Sequence, residues 1–163
     1  MVRIKDYNRT NLPFSDLPRW LFSLKEPLEL AGVAFSTFNL PAGKGYTFMH
    51  SHKEQEEVYI VLYGKGIMQL EEKQINLKSG DCIRVSPSVR RAIKARNESN
   101  MTGIIIGGIP KQGYPKHKTS GSLIDDGIPD WEFLPSWCKG NKKIIEINEK
   151  LKAEREAIKQ QDN

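Results

Sequence analysis

The chain has 163 residues, of which 38% are hydrophobic and 28% charged, and a net charge of +5. This is the size of one domain, or of one domain with an appendage, and the composition excludes a disordered chain. The longest apolar runs, Val58–Tyr63 and Ile104–Ile106, exclude a membrane-spanning helix, which needs roughly 20 apolar residues. The modest positive charge is compatible with an anionic ligand, with nucleic acid or with no specific partner.

The first ten residues carry charges throughout and contain no apolar core. A secretory signal is therefore not expected. The two cysteines, Cys82 and Cys138, are too few for a disulfide framework. We expect a cytoplasmic protein without a membrane partner.

Residues 1–29 are predicted to form an N-terminal extension, because three prolines interrupt any long helix. Within this extension, Asp16–Leu24 is predicted to form one short helical turn. We expect this turn to pack Trp20, Leu21 and Leu24 onto the body of the protein.

Residues 30–110 are predicted to be β throughout, because short β-rich runs alternate with Gly, Pro, Asn and Ser at close intervals. Eight short strands with tight turns favour a β-sandwich or β-barrel over alternating strands and helices. The predicted fold class is therefore all-β. The predicted strands are Val33–Leu40, Thr47–His52, Glu57–Leu62, Gly66–Leu70, Lys73–Leu77, Cys82–Val85, Arg91–Arg96 and Gly103–Gly108.

Residues 111–140 show little periodicity and are predicted to form an arm that wraps the barrel, because their aromatic side chains need a surface to cover. These aromatic residues are Tyr114, Trp131, Phe133 and Trp137. Residues 141–163 are predicted to contain one amphipathic α-helix over 142–160, with Gly140 and Asn141 as its break and cap. Its apolar stripe consists of Ile144, Ile147, Leu151 and Ile158.

Two of the three histidines in the chain lie two residues apart, at His50 and His52. On a strand, residues i and i+2 face the same side, so both imidazoles can reach one point. Glu57 follows five residues later, at the start of the next apolar run. Two imidazoles and one carboxylate suit a divalent first-row metal and form the ligand set of many open iron(II) sites. The alternative is a His-x-His pair that lies on the surface without a role.

The segment 45–64 resembles the first motif of the cupin family. In that motif a glycine is followed by five residues, His-x-His, three or four residues, Glu, six residues and Gly. His50, His52, Glu57 and Gly64 match this spacing, while Gly45 lies one position too close to His50.

This resemblance covers about residues 30–110 and implies a cupin-type jelly-roll β-barrel with a site inside it. It also implies that His50, His52 and Glu57 bind a divalent metal such as iron, manganese, nickel or zinc. The spacing to Gly64 favours Glu57 over Glu56 as the carboxylate ligand.

The second cupin motif is matched in part by Gly80–Arg91. Ser86 and Pro87 make the turn, but Ser88 replaces the family's glycine. Arg91 stands where the family has its third histidine. The resemblance therefore supplies three metal ligands and not the fourth.

Three interpretations of Arg91 follow. In the first, Arg91 points into the barrel beside the metal, and a carboxylate or phosphate of a substrate lies between the two cations. In the second, Arg91 replaces the metal and pairs with Glu57 in a metal-free pocket. In the third, Arg91 turns outward as part of a basic rim.

Strand alternation places Glu57, Tyr59, Val61 and Tyr63 on one face. We therefore expect Tyr59 and Tyr63 to line a ligand pocket with Arg91, although ordinary core packing is the alternative for each tyrosine. The basic run has no interleaved aromatic residues for base stacking and is predicted to be a solvated face, not a nucleic-acid site. It consists of Arg84, Arg90, Arg91, Lys94 and Arg96.

The sequence leaves two classes of function open. One is a metal-dependent enzyme that acts on a small anionic metabolite by oxygenation or isomerisation, and the other is a metal-free or non-catalytic module that binds or senses a small molecule. His117 is predicted to be a surface residue, with a role as a substitute metal ligand as the alternative. A homodimer is expected, because open sheet edges invite pairing and cupins commonly dimerise through them.

Overall fold

The computed structural model describes residues 8–111 and 126–161, which form a short 3-10 turn at Phe14–Asp16, ten β-strands and one α-helix. The elements are β1 (Trp20–Ser23), β2 (Ala34–Leu40), β3 (Met49–His52), β4 (Glu57–Tyr63), β5 (Lys65–Leu70), β6 (Lys73–Lys78), β7 (Cys82–Val85), β8 (Arg91–Ala95), β9 (Met101–Gly107), β10 (Gly127–Asp130) and α1 (Lys142–Gln161).

The strands form two five-stranded sheets in which every pairing is antiparallel. One sheet has the order β1-β2-β9-β4-β7, and the other has the order β10-β3-β8-β5-β6. Neighbours that are distant along the chain, such as β2 and β9, are typical of a jelly roll. The predicted all-β jelly-roll fold is confirmed, and the eight strands predicted between residues 30 and 110 match β2 to β9 within two residues at each end.

The hydrophobic core lies between the two sheets and draws on strands of both. Its buried members are Phe38, Leu40, Tyr59, Val61, Met68, Leu77, Val85, Ile93, Ala95, Met101 and Ile105. On β4 the buried residues alternate, so that Glu57 shares the inner face with Tyr59 and Val61. A carboxylate is thereby carried into the barrel interior next to apolar core side chains.

The N-terminal extension differs from its prediction. Residues 20–23 form strand β1, which pairs with β2 from Trp20↔Asn39 to Ser23↔Ser36, where a helical turn was expected. Trp20 has a φ of 70° and is 46% exposed, so it does not anchor the extension. Leu24 is buried and Leu21 packs against the core, as expected, and Leu17 is also buried.

The arm also contributes a strand. β10 pairs with β3 over its whole length, from Gly127↔His52 to Asp130↔Met49. Beyond β10, the Trp131 ring packs on Phe48 with ring centroids 4.7 Å apart. Residues 127–130 of the predicted wrapping arm are therefore an integral strand of the second sheet, and residues 131–140 form turns and irregular structure. His117 and Tyr114 lie outside the described residues.

Helix α1 begins after Asn141, whose side-chain oxygen accepts a hydrogen bond from the Ile144 amide at 3.4 Å. It docks through polar contacts: the Asn148 side chain donates to the Thr47 carbonyl at 2.8 Å. Ile147, expected in the apolar stripe, is 39% exposed. None of the helices in the described ranges has the length and apolar character of a membrane span.

Replacing Gly103 in β9 tests how tightly the first sheet packs. A methyl group at Gly103 would overlap the Ile60 carbonyl oxygen and the Phe38 ring. We expect Gly103→Ala to lower the free energy of unfolding by about 1–3 kcal/mol, the usual cost of overpacking. Gly108→Ala is the control, because nothing lies within 4 Å of its added methyl group. Urea denaturation measures both, and equal stabilities would contradict this packing.

Candidate metal centre

His50 and His52 lie on the same face of β3, as alternation on a strand requires. Both side chains are buried, and their ring centroids are 5.4 Å apart. Strand β3 lies between β8 and β10, and Arg91 of β8 is the register partner of His50. The pairing therefore places the guanidinium-bearing residue directly beside the first histidine.

Glu57 is the first residue of β4 and enters the site from the opposite sheet. His50, His52 and Glu57 each offer one ligand atom, and these atoms all lie within 4.8 Å of one another. The structure therefore brings together the three residues that the sequence singled out as metal ligands. Glu56 points outward, where its carboxylate pairs with Arg84.

The two oxygens of the Glu57 carboxylate have different surroundings. Oε2 accepts a hydrogen bond from the Tyr59 hydroxyl at 2.7 Å and from Arg91 Nε at 3.2 Å, and Arg91 Nη2 lies 3.1 Å away. Oε1 lies 3.4 Å from His52 Nε2. One oxygen is thus held by cationic and phenolic donors, while the other faces His52.

Arg91 is completely buried, and its guanidinium is hydrogen-bonded through Nη1 and Nε, while Nη2 makes an ion-pair contact without a hydrogen bond to the described residues. Its Nη1 donates to the carbonyl oxygens of Pro87 at 2.9 Å and Val89 at 2.8 Å, while Nε and Nη2 face Glu57. The interpretation in which Arg91 turns outward is therefore wrong. Its pairing with Glu57 matches the second interpretation, and the predicted solvated face does not include Arg91.

The charge states follow from burial and from neighbouring groups. Burial lowers the pKa of His50 to about 3, against the opposing charge of Glu57, so this imidazole is neutral at pH 7. Burial alone would raise the pKa of Glu57, but His52, His50 and Arg91 together hold it at about 2. Burial and the charge of Glu57 raise the pKa of Tyr59 well above its usual value. The site therefore combines a neutral imidazole, an ionised carboxylate and a protonated phenol.

Two buried ring nitrogens fit a metal ion. Within residues 8–111 and 126–161, His50 Nδ1 and His52 Nε2 have no hydrogen-bond partner. His52 Nε2 lies near Glu57 Oε1, but the 3.4 Å separation is ion-pair distance and longer than an ordinary hydrogen bond. Leaving buried polar atoms unpaired is costly, and a cation would use both nitrogens together with the carboxylate.

Asp126 belongs to the site, and sequence reasoning missed it. Its Oδ1 lies 2.7 Å from His52 Nδ1, and its Oδ2 accepts hydrogen bonds from the backbone amides of Glu54 and Gln55 at 2.6 and 3.1 Å. Burial alone would raise the pKa of Asp126, but these hydrogen bonds hold it below its usual value. A separation of 74 residues from His52 leaves no local pattern that reveals the contact.

The two tyrosines expected in the pocket have different positions. Tyr59 is buried with its hydroxyl on Glu57, as described above. Tyr63 is 64% exposed, because the pairing of β4 with β9 shifts register between Val61 and Tyr63. The expectation that Tyr63 shares the inner face is therefore wrong. The Tyr46 ring lies 5.9 Å from the His50 ring and supplies an aromatic wall instead.

Comparisons with known proteins agree on the family. The family model described as "Cupin domain" matches residues 36–107. A cupin protein from Bacteroides fragilis is 31% identical, with a TM-score of 0.60, and the match covers 74% of this chain and 98% of that one. A provisionally named sugar phosphate isomerase from Acidithiobacillus ferrooxidans is 24% identical with a TM-score of 0.50, over 55% of this chain and 58% of that one, and shows the fold alone.

An uncharacterized protein of Methanocaldococcus jannaschii is 35% identical over 48 residues. These residues are 29% of this chain, and they span 38% of the archaeal protein's length.

Replacing the buried Arg91 should lower the free energy of unfolding far more than replacing the exposed Arg84. Arg91→Met would leave the ionised Glu57 buried without its charge partner, and we expect a loss of about 3–5 kcal/mol in the free energy of unfolding. Arg84→Met is the matched control, because the Arg84–Glu56 pair is exposed and contributes about 0–1 kcal/mol.

Chemical denaturation of both variants gives the comparison. The double variant Glu57→Gln, Arg91→Met should recover much of the loss, because no unpaired charge then remains buried. Equal costs for Arg91→Met and Arg84→Met would contradict the buried pair.

Proposed function

This chain belongs to the cupin superfamily, and from that premise we propose that its barrel interior binds one divalent metal ion through His50, His52 and Glu57. One observation carries the proposal: one ligand atom each of His50, His52 and Glu57 lies within 4.8 Å of the others. Each histidine also has a buried ring nitrogen without a hydrogen-bond partner in the described chain, and Glu57 is ionised. Two histidines and one carboxylate suit iron, manganese, nickel or zinc. Three protein ligands leave coordination positions open for a substrate or water.

Two neighbouring side chains orient the carboxylate of Glu57. Arg91 and Tyr59 both contact Oε2 of Glu57, which orients the carboxylate and leaves Oε1 toward His52. The three ligand side chains are buried, so most of their surface is shielded from bulk water. A divalent metal bound here would act as a Lewis acid that polarises an oxygen of the bound molecule.

The charge of the site favours an anionic metabolite. A divalent cation and Arg91 bring three positive charges, whereas Glu57 and Asp126 bring two negative ones. The loaded site would therefore keep one net positive charge in a buried environment, where an anion is attracted strongly. Arg91 contributes through its charge, since its guanidinium nitrogens already contact protein oxygens. We propose an oxygenase- or isomerase-type reaction on a small anionic molecule.

A second candidate is a metal-free pocket that binds or senses a small molecule. The contact between Arg91 and Glu57 Oε2 favours it, because the ion pair compensates the carboxylate without a metal. The two candidates differ in turnover: a sensor is stabilised by its ligand and leaves it chemically unchanged. In either case the expected homodimer stays a prediction.

Metal content of protein purified without a histidine tag decides between these candidates. We expect about one divalent metal per chain by elemental analysis, and its loss in His52→Ala, because two ligands cannot replace three in a buried site. Cys82→Ala is the control, because it removes an exposed thiol, a metal-binding group that lies outside the His50, His52 and Glu57 cluster. A wild-type protein that stays metal-free after incubation with Zn²⁺, Mn²⁺, Fe²⁺ and Ni²⁺ would favour the ion-pair pocket.

Anion preference is tested with malonate against its neutral analogue malonamide. The Zn²⁺-loaded protein should be stabilised by malonate and not by malonamide, because the two molecules have similar shapes and only malonate is negatively charged. At a malonate concentration of 100 times its Kd the gain is about 2.7 kcal/mol, or roughly 5–10 °C in Tm. Equal shifts with both compounds would contradict the charge argument.

A further inference from the structure

We propose that Asp126 is a positioning residue that fixes the tautomer of His52 and thereby leaves Nε2 free to bind the metal. The inference rests on the metal site proposed above, but it concerns a residue outside the 36–107 segment that the family model matches. Three independent features carry it: the contact with the ring, the anchoring of the carboxylate, and the strand that delivers it.

The first feature is the contact between Asp126 and the ring. Asp126 Oδ1 lies 2.7 Å from His52 Nδ1, which is hydrogen-bond distance. A carboxylate oxygen accepts hydrogen bonds and does not donate them, so the shared hydrogen must belong to Nδ1. In a neutral imidazole the other nitrogen then carries the lone pair. That nitrogen is Nε2, which faces Glu57 Oε1 at 3.4 Å.

The second feature is the anchoring of the carboxylate itself. Asp126 Oδ2 accepts the backbone N–H groups of Glu54 and Gln55 at 2.6 and 3.1 Å. These amides can only donate, so Oδ2 is an acceptor and the orientation of the carboxylate is fixed. Both amides belong to the loop that joins the histidine strand to Glu57. The Asp126 side chain therefore holds both the His52 ring and the loop that connects His52 to Glu57.

The third feature is strand β10, which begins directly after Asp126. β10 pairs with β3 from Gly127↔His52 to Asp130↔Met49, whereas the described pairing of β3 with β8 is the single register pair His50↔Arg91. Arg155 of α1 donates to the Gly127 carbonyl at 2.8 Å, which attaches helix α1 to strand β10. The histidine strand thus depends on the arm for most of its ladder, and Asp126 arrives in a fixed register.

The variant Asp126→Asn reverses the hydrogen-bond polarity at the ring. The amides of Glu54 and Gln55 require an acceptor, so the asparagine oxygen must stay on them and its NH2 group must face His52 Nδ1. Nδ1 would then accept, and the ring proton would move to Nε2, where it blocks metal binding. Hydrogen-bond partners of metal-ligating histidines typically contribute about 10–100-fold to metal affinity. We therefore expect Asp126→Asn to bind Zn²⁺ about 10–100-fold more weakly than the wild type.

Asp130→Asn is the matched control on the same strand. Asp130 accepts backbone amides of Glu132 and Phe133 and pairs with Arg90, and none of these groups is a proposed metal ligand. This substitution changes the same charge and volume near the arm. It should leave Zn²⁺ affinity and His52 unchanged.

Two measurements are made on the full-length wild type, Asp126→Asn and Asp130→Asn. Zn²⁺ competition with a chromophoric chelator gives affinity, and long-range ¹H–¹⁵N NMR of the metal-free proteins at pH 8 shows whether His52 Nδ1 carries a proton. We expect Nδ1 to be protonated in wild type and Asp130→Asn, and bare in Asp126→Asn. The 10–100-fold affinity loss should be confined to Asp126→Asn.

The two proposals fail in different ways. A wild type that binds no Zn²⁺ but shows the NMR switch would refute the metal site and support the control of His52 by Asp126. A wild type that binds Zn²⁺, together with an Asp126→Asn variant of equal affinity and the same His52 protonation, would overturn the positioning role and leave the metal site standing.

Discussion

The buried contact between Arg91 and Glu57 is the constraint on which the rest of the structure depends. A completely buried guanidinium requires compensation, and Glu57, two backbone carbonyls and the strand pairing of β8 supply it. Because Arg91 and Glu57 come from opposite sheets, their contact also fixes how the sheets face each other at the site. An apolar core cannot specify this relation as sharply, since its contacts are not directional.

The same contact gives the site its chemical character. By holding one oxygen of Glu57, Arg91 and Tyr59 leave the other oxygen turned toward His52. Arg91 stands at the sequence position of the family's third histidine, so the cluster of His50, His52 and Glu57 lies beside a fixed positive charge. Asp126 contacts the other ring nitrogen of His52. A series of contacts therefore runs from Asp126 through the His52 ring to Glu57.

Much of the barrel was predictable, because strand alternation and turn residues are local signals. The His-x-His pair and Glu57 were found for the same reason: their spacing reports a shared face. β10 was missed because four residues with an internal proline, Pro129, are a weak strand signal that only an edge position tolerates. The inward placement of Tyr63 failed at a bulge, and Asp126 was missed because a contact across 74 residues depends on tertiary pairing.

The proposed metal site requires that Glu57 binds Arg91 through one oxygen and a metal ion through the other. A crystal structure of the protein grown with Zn²⁺, with anomalous data at the zinc edge, shows both contacts at once. We expect one anomalous peak bonded to His50, His52 and Glu57 Oε1, with Arg91 still on Oε2 and Asp126 on His52 Nδ1. A barrel interior without an anomalous peak, or a zinc ion bound after Arg91 has left Glu57, would contradict it.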